Sequence, residues 1–563
     1  MRKTICSLGA FFGVLLTIAI PAVSAGQETA RPITADAIRQ AELLLGLEFT
    51  PAERQQLMER QRFFQDLAGL RESYGLIRAA APDQSVMPAL HFMPQPPAWS
   101  PPKTDLGPTW THVGGALRPA TLEDAAYWTI AELAELIRTR QVTSVELTRM
   151  YLGRLERFDP DVHVVVTLLE DAALRQAARA DRELAAGRYR GPLHGIPYAL
   201  KDLFAVEGYP TTWGAAANGF EQMEGTATVA RKLEEAGAVL LAKVSLGALA
   251  WGDVWFGGKT RNPWNLEEGS SGSSAGSAAS VSAGLVPFAI GTETWGSIVS
   301  PSSTTGVTGL RPTFGRVSRA GGMAVSWSMD KVGPICRAAE DCGMVLDAIR
   351  GSDGIDRSAV NVAFNYTPEV DWAALRVGYV EADFEGDDAS AVLDRATLDV
   401  FRSLGARLVP IELPDRPVEA LSLILGAEAA ASFDVITRTG LDDRLPLQAV
   451  DAWPNVLRTT RFIPAAEYIQ ANRIRTLLGQ DMAQIMTNVD VYLAPAQRGD
   501  NSLVTNLTGH PAISLPNGFT DLTSPNAITV IARLYDEATL LAVARAYQQA
   551  TDFHRRHPPR FAR

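Results

Sequence analysis

The feature that most constrains the fold of this chain is an alternation of short apolar runs with amphipathic helical stretches. It begins near Thr129 and continues almost to the C-terminus. Short apolar runs bounded by Gly, Pro or polar residues and separated by helices are typical of strands in a buried sheet. The runs are residues 164–169, 196–200, 238–242, 285–290, 375–380, 491–494 and 527–532. We therefore predict an α/β fold with a large mixed, mostly parallel β-sheet covered by helices on both faces.

Composition excludes several classes of protein. The chain has 563 residues, of which 46% are hydrophobic and 20% are charged, whereas disordered chains are poor in apolar residues. A net charge of −11 without a basic stretch makes nucleic acid an unexpected partner. Three cysteines and seven scattered histidines show no metal-ligand spacing. We expect no metal and no cofactor.

The N-terminal 25 residues have the pattern of a secretory signal peptide. Arg2 and Lys3 precede an uncharged apolar stretch, and small residues at 23–25 form a cleavage site. The alternative is a membrane anchor, but the apolar stretch is short against the about 20 residues that a spanning helix needs. We therefore predict an exported protein, periplasmic or extracellular, with no membrane association after cleavage.

The mature chain divides into an extension and a body. Residues 26–120 are predicted to form a helical N-terminal extension followed by a Pro-rich linker, and residues 121–563 form the body. A capping box over Thr50–Glu53 opens one helix of the extension, with Pro51 at its first position. Thr129 and Thr143 begin two further capping boxes in the body. The extension is expected to pack on the body, and it carries no recognisable chemistry.

A dense Ser/Gly block covers residues 269–284, with the sequence GSSGSSAGSAASVSAG. A flexible linker is the first interpretation, but strand and helix patterns flank the block closely. A phosphate-binding loop would require a Walker or G-x-G-x-x-G pattern, which is absent. Residues 272–276 match the G-x-S-x-G nucleophile elbow formally, although no buried strand precedes them. The fourth interpretation is a hydrolase that uses two serines and a lysine.

Several motifs in order resemble the amidase signature family. They are GIPYALKD at 195–202, GSSAGS at 272–277, GTETWGSI at 291–298, GLRPT at 309–313, SMD at 328–330 and GHPAISLP at 509–516. The resemblance covers about residues 125–555 and implies one large catalytic domain that hydrolyses carboxylic amide C–N bonds.

The resemblance also implies the site residues. Ser297 would be the nucleophile, Ser273 a bridging serine on a cis peptide bond, and Lys201 the base. Backbone N–H groups of Thr294, Trp295, Gly296 and Ser297 itself would form the oxyanion hole. Asp202, Ser274, Ser277, Arg311 and Asp330 are expected to support this network rather than react.

The chemistry of a lysine base explains this choice of residues. A serine hydroxyl is a weak nucleophile without an adjacent base, and a lysine is a base only when neutral. Its pKa must therefore fall from about 10.4 to about 7–8, which burial can produce. Lys201 ends an apolar run and suits that requirement. Lys243 is a rival by position, and a Ser-His-Asp site would have to recruit a distant histidine such as His510.

Departures from the family pattern bear on the substrate. Trp295-Gly296 replaces the common Gly-Gly, and Val299 replaces an arginine that often follows the motif. In the amidotransferase subunits that resemble this family, this neighbourhood recognises the carboxylate of glutamine. Val299 and the leader therefore favour an amidase over the A subunit of an amidotransferase. Such an amidotransferase-like protein remains the alternative, together with a catalytically decayed binding protein on the same scaffold.

Aromatic residues near the motifs suggest an apolar or aryl amide substrate. They are Trp213, Trp251, Trp255, Phe256, Trp264 and Trp327. The expected partner is thus a small-molecule amide. The sequence leaves open whether the protein is a monomer or a homodimer, and whether Cys336 and Cys342 form a disulfide or remain two buried thiols.

Overall fold

A computed structural model describes residues 32–61, 63–80, 104–215 and 223–562, with short stretches at 82, 89–90, 92–95 and 99. The predicted signal peptide lies outside the described residues. Within this part of the chain eighteen α-helices are formed. They are α1 Ala35–Leu45, α2 Pro51–Met58, α3 Leu67–Ala79, α4 Ile130–Arg138, α5 Ser144–Val162, α6 Glu170–Ala185, α7 Thr228–Glu235, α8 Ala275–Ser282, α9 Val299–Thr305, α10 Ala339–Ile349, α11 Ala389–Ser403, α12 Val418–Leu421, α13 Leu423–Ser432, α14 Asp434–Arg438, α15 Trp453–Thr460, α16 Ala465–Asn488, α17 Asn501–Thr508 and α18 Glu537–Ala550.

The strands lie between these helices. They are β1 Val165–Leu168, β2 Pro197–Lys201, β3 Val239–Val244, β4 Val254–Trp255, β5 Gly258–Lys259, β6 Arg261–Asn262, β7 Asn265–Gly269, β8 Phe288–Glu293, β9 Thr308–Arg311, β10 Lys331–Cys336, β11 Arg376–Val380, β12 Arg407–Ile411, β13 Val491–Pro495, β14 Ala512–Phe519 and β15 Pro525–Ala532. Each of the seven apolar runs identified in the sequence overlaps one of these strands.

One large sheet forms the centre of the body. Among the described residues it has eleven strands in the order β1-β3-β2-β8-β10-β9-β14-β15-β13-β11-β12, and two small hairpins, β4-β5 and β6-β7, lie outside it. The predicted α/β class is confirmed. The sheet is mixed, as expected, but the parallel pairs are in the minority.

Strand direction is the point at which the prediction was wrong. In the described sheet only β2-β3, β2-β8, β11-β12 and β11-β13 pair in parallel, and the other six pairs are antiparallel. The antiparallel pairs are continuous from β8 through β10, β9, β14 and β15 to β13. An apolar run indicates that a strand is buried but not its direction relative to its neighbours. The sequence pattern therefore could not distinguish parallel from antiparallel pairing.

The extension is helical and packs on the body. The capping box of α2 is present, with the side chains of Thr50 and Glu53 each bonded to the other residue's backbone N–H. In α3, Ile77 is fully buried. Arg78 donates to Glu467 of α16 at 2.6 Å, and the Tyr74 hydroxyl donates to the carbonyl oxygen of Phe462 at 3.1 Å. The extension therefore shares its apolar face with the body.

Two further expectations concern the membrane and the cysteines. None of the helices in the described residues combines the length and apolarity that crossing a bilayer would require. Cys336 in β10 and Cys342 in α10 are both buried and free. The sequence left this pair open between a disulfide and two thiols, and the structure has two thiols.

Candidate active site

The predicted base and nucleophile reach one edge of the sheet because β2 and β8 are parallel neighbours. Lys201 is the last residue of β2, and Ser297 lies in the loop that follows β8. Leu200 is opposite Ile290 in the pairing of these strands. Since parallel strands present their carboxyl ends at the same edge, Lys201 and the loop after β8 meet there.

The predicted bridging serine arrives from the Ser/Gly block. This block is not a linker: it contains the end of β7, a tight loop and α8, whose eight residues are all buried. Small side chains suit a helix that is enclosed on every side. The Gly272–Ser273 peptide bond is cis, as the family resemblance implies. The backbone N–H of Ser274 donates to the carbonyl oxygen of Ser297 at 3.1 Å, which holds the two serine loops side by side.

Lys201 is the centre of a small hydrogen-bond network. Its Nζ lies 2.8 Å from Ser273 Oγ, 3.1 Å from Ser274 Oγ and 2.9 Å from Thr292 Oγ1. The side chain is fully buried. Burial lowers the pKa of Lys201 to about 7, against the opposing influence of the carboxylates of Asp330 and Glu293. That pKa is in the range required of a lysine base.

A buried carboxylate fixes the loop that carries Ser297. Glu293 Oε2 accepts the backbone N–H groups of Ile298 and Val299 at 2.8 and 2.9 Å. Its other oxygen accepts from Arg311 at 2.7 Å and from Asn506 at 2.9 Å. The Arg311 guanidinium and these hydrogen bonds outweigh burial and lower the pKa of Glu293 to about 2. Glu293 is therefore ionised and positions the chain directly after Ser297.

Gly296 has a backbone conformation that favours glycine. Gly296 has φ +83°, and a Cβ there would lie 2.9 Å from Ser300 Oγ. The position thus requires glycine, whereas position 295 accepts a larger residue. Thr294, at the start of the loop, donates through Oγ1 to Asp330 at 2.6 Å. Asp330 also accepts the N–H groups of Val325 and Ser326, so it ties the loop to a neighbouring segment.

The rival bases have other partners. Lys243 Nζ is 2.7 Å from Asp202 in a fully buried ion pair, and it also donates to Thr211. His510 is bonded through Nδ1 to the Thr508 hydroxyl at 2.8 Å. Burial, reinforced by the charge of Arg311, lowers the pKa of His510 to about 3, which suits a neutral packed ring better than a general base.

The structure adds residues that sequence reasoning missed. Thr292 and Glu293 both lie inside the recognised motif at 291–298, but no role was assigned to them. Asn506 carried no signal, because it is 213 residues from its partner Glu293. Of the expected support residues, Ser277 donates to the Ile290 carbonyl oxygen, which joins α8 to β8.

A cavity of about 250 Å³ opens beside the loop. Thr292, Thr294 and Asp330 contribute to its wall, so it lies next to both the Lys201 network and the predicted oxyanion hole. The rest of the wall has apolar side chains, among them Leu203, Phe204, Met323, Val325, Trp327 and Val332, together with the charged residues Arg319, Lys331 and Asp356.

The aromatic cluster expected from the sequence is mostly packing. Trp255 is 6% exposed and its ring contacts Phe256. Trp264 donates to the Thr305 carbonyl oxygen, and Trp251 packs on Trp453. Of the six aromatic residues, Trp327 is the one that lines this cavity.

An acidic group lies elsewhere in the described residues. Glu53, Asp442 and Asp443 bring carboxylate oxygens within 4.8 Å of one another. The Arg458 guanidinium lies 2.6–2.9 Å from all three. The cation of this group is therefore an arginine of the chain, and the network joins α2 to the segment around α15.

Comparison with known proteins places the chain in a family. The family model described as Amidase matches residues 146–500. The chain belongs to the amidase signature family, whose members act on C–N bonds.

The chain is similar to two amidotransferase subunits and to a peptide amidase of known structure. The A subunit of glutamyl-tRNA(Gln) amidotransferase from Methylococcus capsulatus is 36% identical over 484 residues, which cover 76% of this chain and 98% of that protein. Its counterpart from Pseudomonas syringae pv. tomato is 35% identical over 488 residues, covering 77% and 99%. The solved structure of a peptide amidase from Stenotrophomonas maltophilia superimposes with a TM-score of 0.67 at 29% identity, covering 78% and 99%.

Proposed function

We propose that this protein is an exported amidase that hydrolyses carboxylic amides through an acyl-enzyme on Ser297. The observation that carries the proposal is the position of Lys201 Nζ, 2.8 Å from Ser273 Oγ inside a fully buried network. A lysine with a pKa of about 7 is neutral in about half of the molecules at neutral pH. It can therefore take up a proton without first losing one to solvent.

The proposed reaction has two half-reactions. Neutral Lys201 takes the proton of Ser273 Oγ while Ser273 takes that of Ser297, whose oxygen attacks the amide carbonyl carbon. Backbone N–H groups of the loop from Thr294 to Ser297 stabilise the tetrahedral oxyanion. The proton returns through Ser273 to the leaving nitrogen as the C–N bond breaks. Water then attacks the ester by the same relay, which releases the carboxylic acid and frees Ser297.

The proposed substrate class is supported by the lining of the cavity. Apolar residues, with Phe204 and Trp327 as the aromatic members, form much of its wall, and this supports apolar or aryl amides. Val299 does not offer a cation for a substrate carboxylate: its side chain is 3% exposed, and its N–H is held by Glu293. Export is proposed from the leader at residues 1–25.

Labelling tests the nucleophile. A fluorophosphonate should modify Ser297, and mass spectrometry of the peptide should locate the adduct there. Ser297→Ala should abolish both labelling and amide hydrolysis, and Lys201→Ala should abolish labelling at neutral pH. The matched control is Ser403→Ala, an exposed serine in α11, which should label like the wild type. An adduct on Ser274, or activity that persists in Ser297→Ala, would contradict the proposal.

The second candidate is a component of a glutamine-dependent amidotransferase. It is supported by the relatives described as the A subunit of glutamyl-tRNA(Gln) amidotransferase, of which the chain matches 98% of the length in one case. Ammonia release distinguishes the two candidates. The amidase should release ammonia or amine from apolar amides faster than from glutamine without any added protein. A preference for glutamine would favour the amidotransferase.

A further inference from the structure

A second cavity adjoins the one beside the oxyanion loop. It has a volume of about 590 Å³, and both cavities are lined by Arg319, Trp327 and Asp356. The second cavity also has Leu90 and Phe92 in its wall, which belong to the N-terminal extension. The cavity next to the proposed reaction centre therefore shares part of its wall with a chamber that the extension helps to enclose.

The shared wall is held rigidly at its backbone and carries an exposed indole. Arg319 donates to Asp356 at 2.9 Å and to the carbonyl oxygen of Trp327 at 2.6 Å. The next residue, Ser328, donates through both N–H and Oγ to the buried carboxylate of Glu428. Trp327 itself is 51% exposed. A fixed backbone with an exposed aromatic ring suits contact with an apolar ligand at little cost in ordering.

The extension is also anchored where it meets the chamber. The N–H of Ala89 donates to the Asn472 carbonyl oxygen at 3.2 Å. The ring of Phe92 lies edge-on to Phe314 at 5.1 Å, and the Arg475 guanidinium lies 3.6 Å from the centre of the Phe92 ring. These contacts fix the chain before and after Leu90, whose side chain is 51% exposed and lines the chamber.

Leu90 and Phe92 lie outside the part of the chain that the family model matches, residues 146–500, whereas Trp327 and the rest of the chamber wall lie inside it. We propose that Leu90 and Phe92 of the extension form, with Trp327, a second substrate subsite that holds the apolar part of an amide distal to its scissile bond. The inference rests on the proposed amidase function. It assigns the extension a role in specificity: elongated apolar amides gain contacts in the chamber that short amides do not reach.

The experiment compares one short amide with two elongated ones. Acetanilide is the short substrate, and decanoic anilide and N-biphenylylacetamide extend it on the acyl and the amine side. The wild type should prefer at least one elongated amide in kcat/KM. Leu90→Ala and Phe92→Ala, at two residues that line the second cavity and not the first, should each lower that preference about tenfold, mainly through KM, since a hydrophobic contact remote from the bond acts on binding. The control is Leu44→Ala, a 91% exposed residue of the same extension, which should keep the wild-type ratio.

The possible results distinguish failure of the proposed subsite from failure of the proposed amidase activity. A preference that stays within about twofold of the wild type in both variants, or a wild type without preference, overturns the subsite while leaving amide hydrolysis intact. If none of the three amides is hydrolysed and Ser297 resists a fluorophosphonate, the proposed function fails instead. Calorimetric binding of decanoic anilide then decides the subsite: Leu90→Ala should weaken it about tenfold relative to Leu44→Ala, and equal affinities overturn it.

Discussion

Lys201 shows how two opposing effects set one pKa. Removing the ammonium from water lowers its pKa, while the carboxylates of Asp330 and Glu293 raise it, and the result is about 7 against an ordinary value of 10.5. A difference of this size corresponds to about 4–5 kcal/mol of disfavoured charge. Between a pH of about 7 and a pH of 10.5 the unfolded chain holds a proton on this lysine that the folded chain has lost. The contribution of this group to the free energy of unfolding therefore rises with pH over that range.

The same balance predicts the pH dependence of catalysis. Activity requires neutral Lys201, so kcat/KM should rise with pH through about 7. Asp330→Asn removes a negative charge that raises this pKa, and it keeps one of the two acceptor oxygens that bond Thr294 and the N–H groups of Val325 and Ser326. The acidic limb should therefore move to lower pH by about one unit. The measurement is the pH profile of kcat/KM for a neutral amide.

Asp36→Asn is the control for that profile. Asp36 is an exposed carboxylate of α1, so its loss should leave the limb in place. A limb that stays fixed in Asp330→Asn, or moves to higher pH, would show that Lys201 is not the group that titrates.

At the scale of single elements, the loop between β8 and α9 depends on one backbone conformation. Gly296→Ala would place a Cβ 2.9 Å from Ser300 Oγ at φ +83°, which an L-residue rarely adopts. The loop must shift, and its N–H groups with it. We expect kcat to fall about 100-fold with little change in KM, the effect of losing an oxyanion donor.

A glycine with free space provides the comparison for Gly296. Gly479 lies within α16, and a Cβ there would meet nothing within 4 Å. Gly479→Ala should leave kcat unchanged and should stabilise the helix by up to about 1 kcal/mol. Equal kcat values for the two variants would mean that the loop geometry does not control the reaction.

Helix α3 makes the extension part of the core. Ile77 is fully buried, whereas its neighbour Leu76 is 47% exposed. Ile77→Ala should lower the free energy of unfolding by about 2–5 kcal/mol, because it removes buried methyl groups and leaves a cavity. Leu76→Ala should change it by less than about 0.5 kcal/mol. Denaturant unfolding measures both, and equal small losses would show that the extension unfolds separately from the body.

Helices and strands were predictable from the sequence where a short stretch of the chain carries the pattern that indicates them. The seven apolar runs predicted strands, and the capping boxes at Thr50, Thr129 and Thr143 start helices α2, α4 and α5. Strand β10 went unrecognised because Lys331, Gly333 and Pro334 interrupt its apolar pattern. Lys201, Ser273 and Ser297 could be proposed from the sequence because ordered motifs carry them. Asn506 and the residues of the chamber wall could not, since folding brings them together from distant segments.

At the scale of the whole molecule, the aromatic residues near the motifs show that a sequence pattern does not determine where a side chain lies in the fold. Six of them lie close together in the sequence, yet Trp255 and Trp264 pack against Phe256 and Phe519, whereas Trp327 lines both cavities. Proximity in sequence does not say which face of a fold a ring occupies. The extension gives the opposite case: it carries no motif, and its position against the body gives Leu90 and Phe92 a place in a cavity wall.

Thiol counting tests whether the predicted leader is removed. Cys336 and Cys342 are fully buried, and burial raises the pKa of the Cys336 thiol, so neither should react with Ellman's reagent in the folded protein. The sequence has three cysteines, and the remaining one, Cys6, lies in the predicted leader. Protein recovered from the exported fraction and unfolded without reductant should therefore show two thiols. Three would mean that the leader is retained, and two that appear only after reduction would mean that a disulfide had formed.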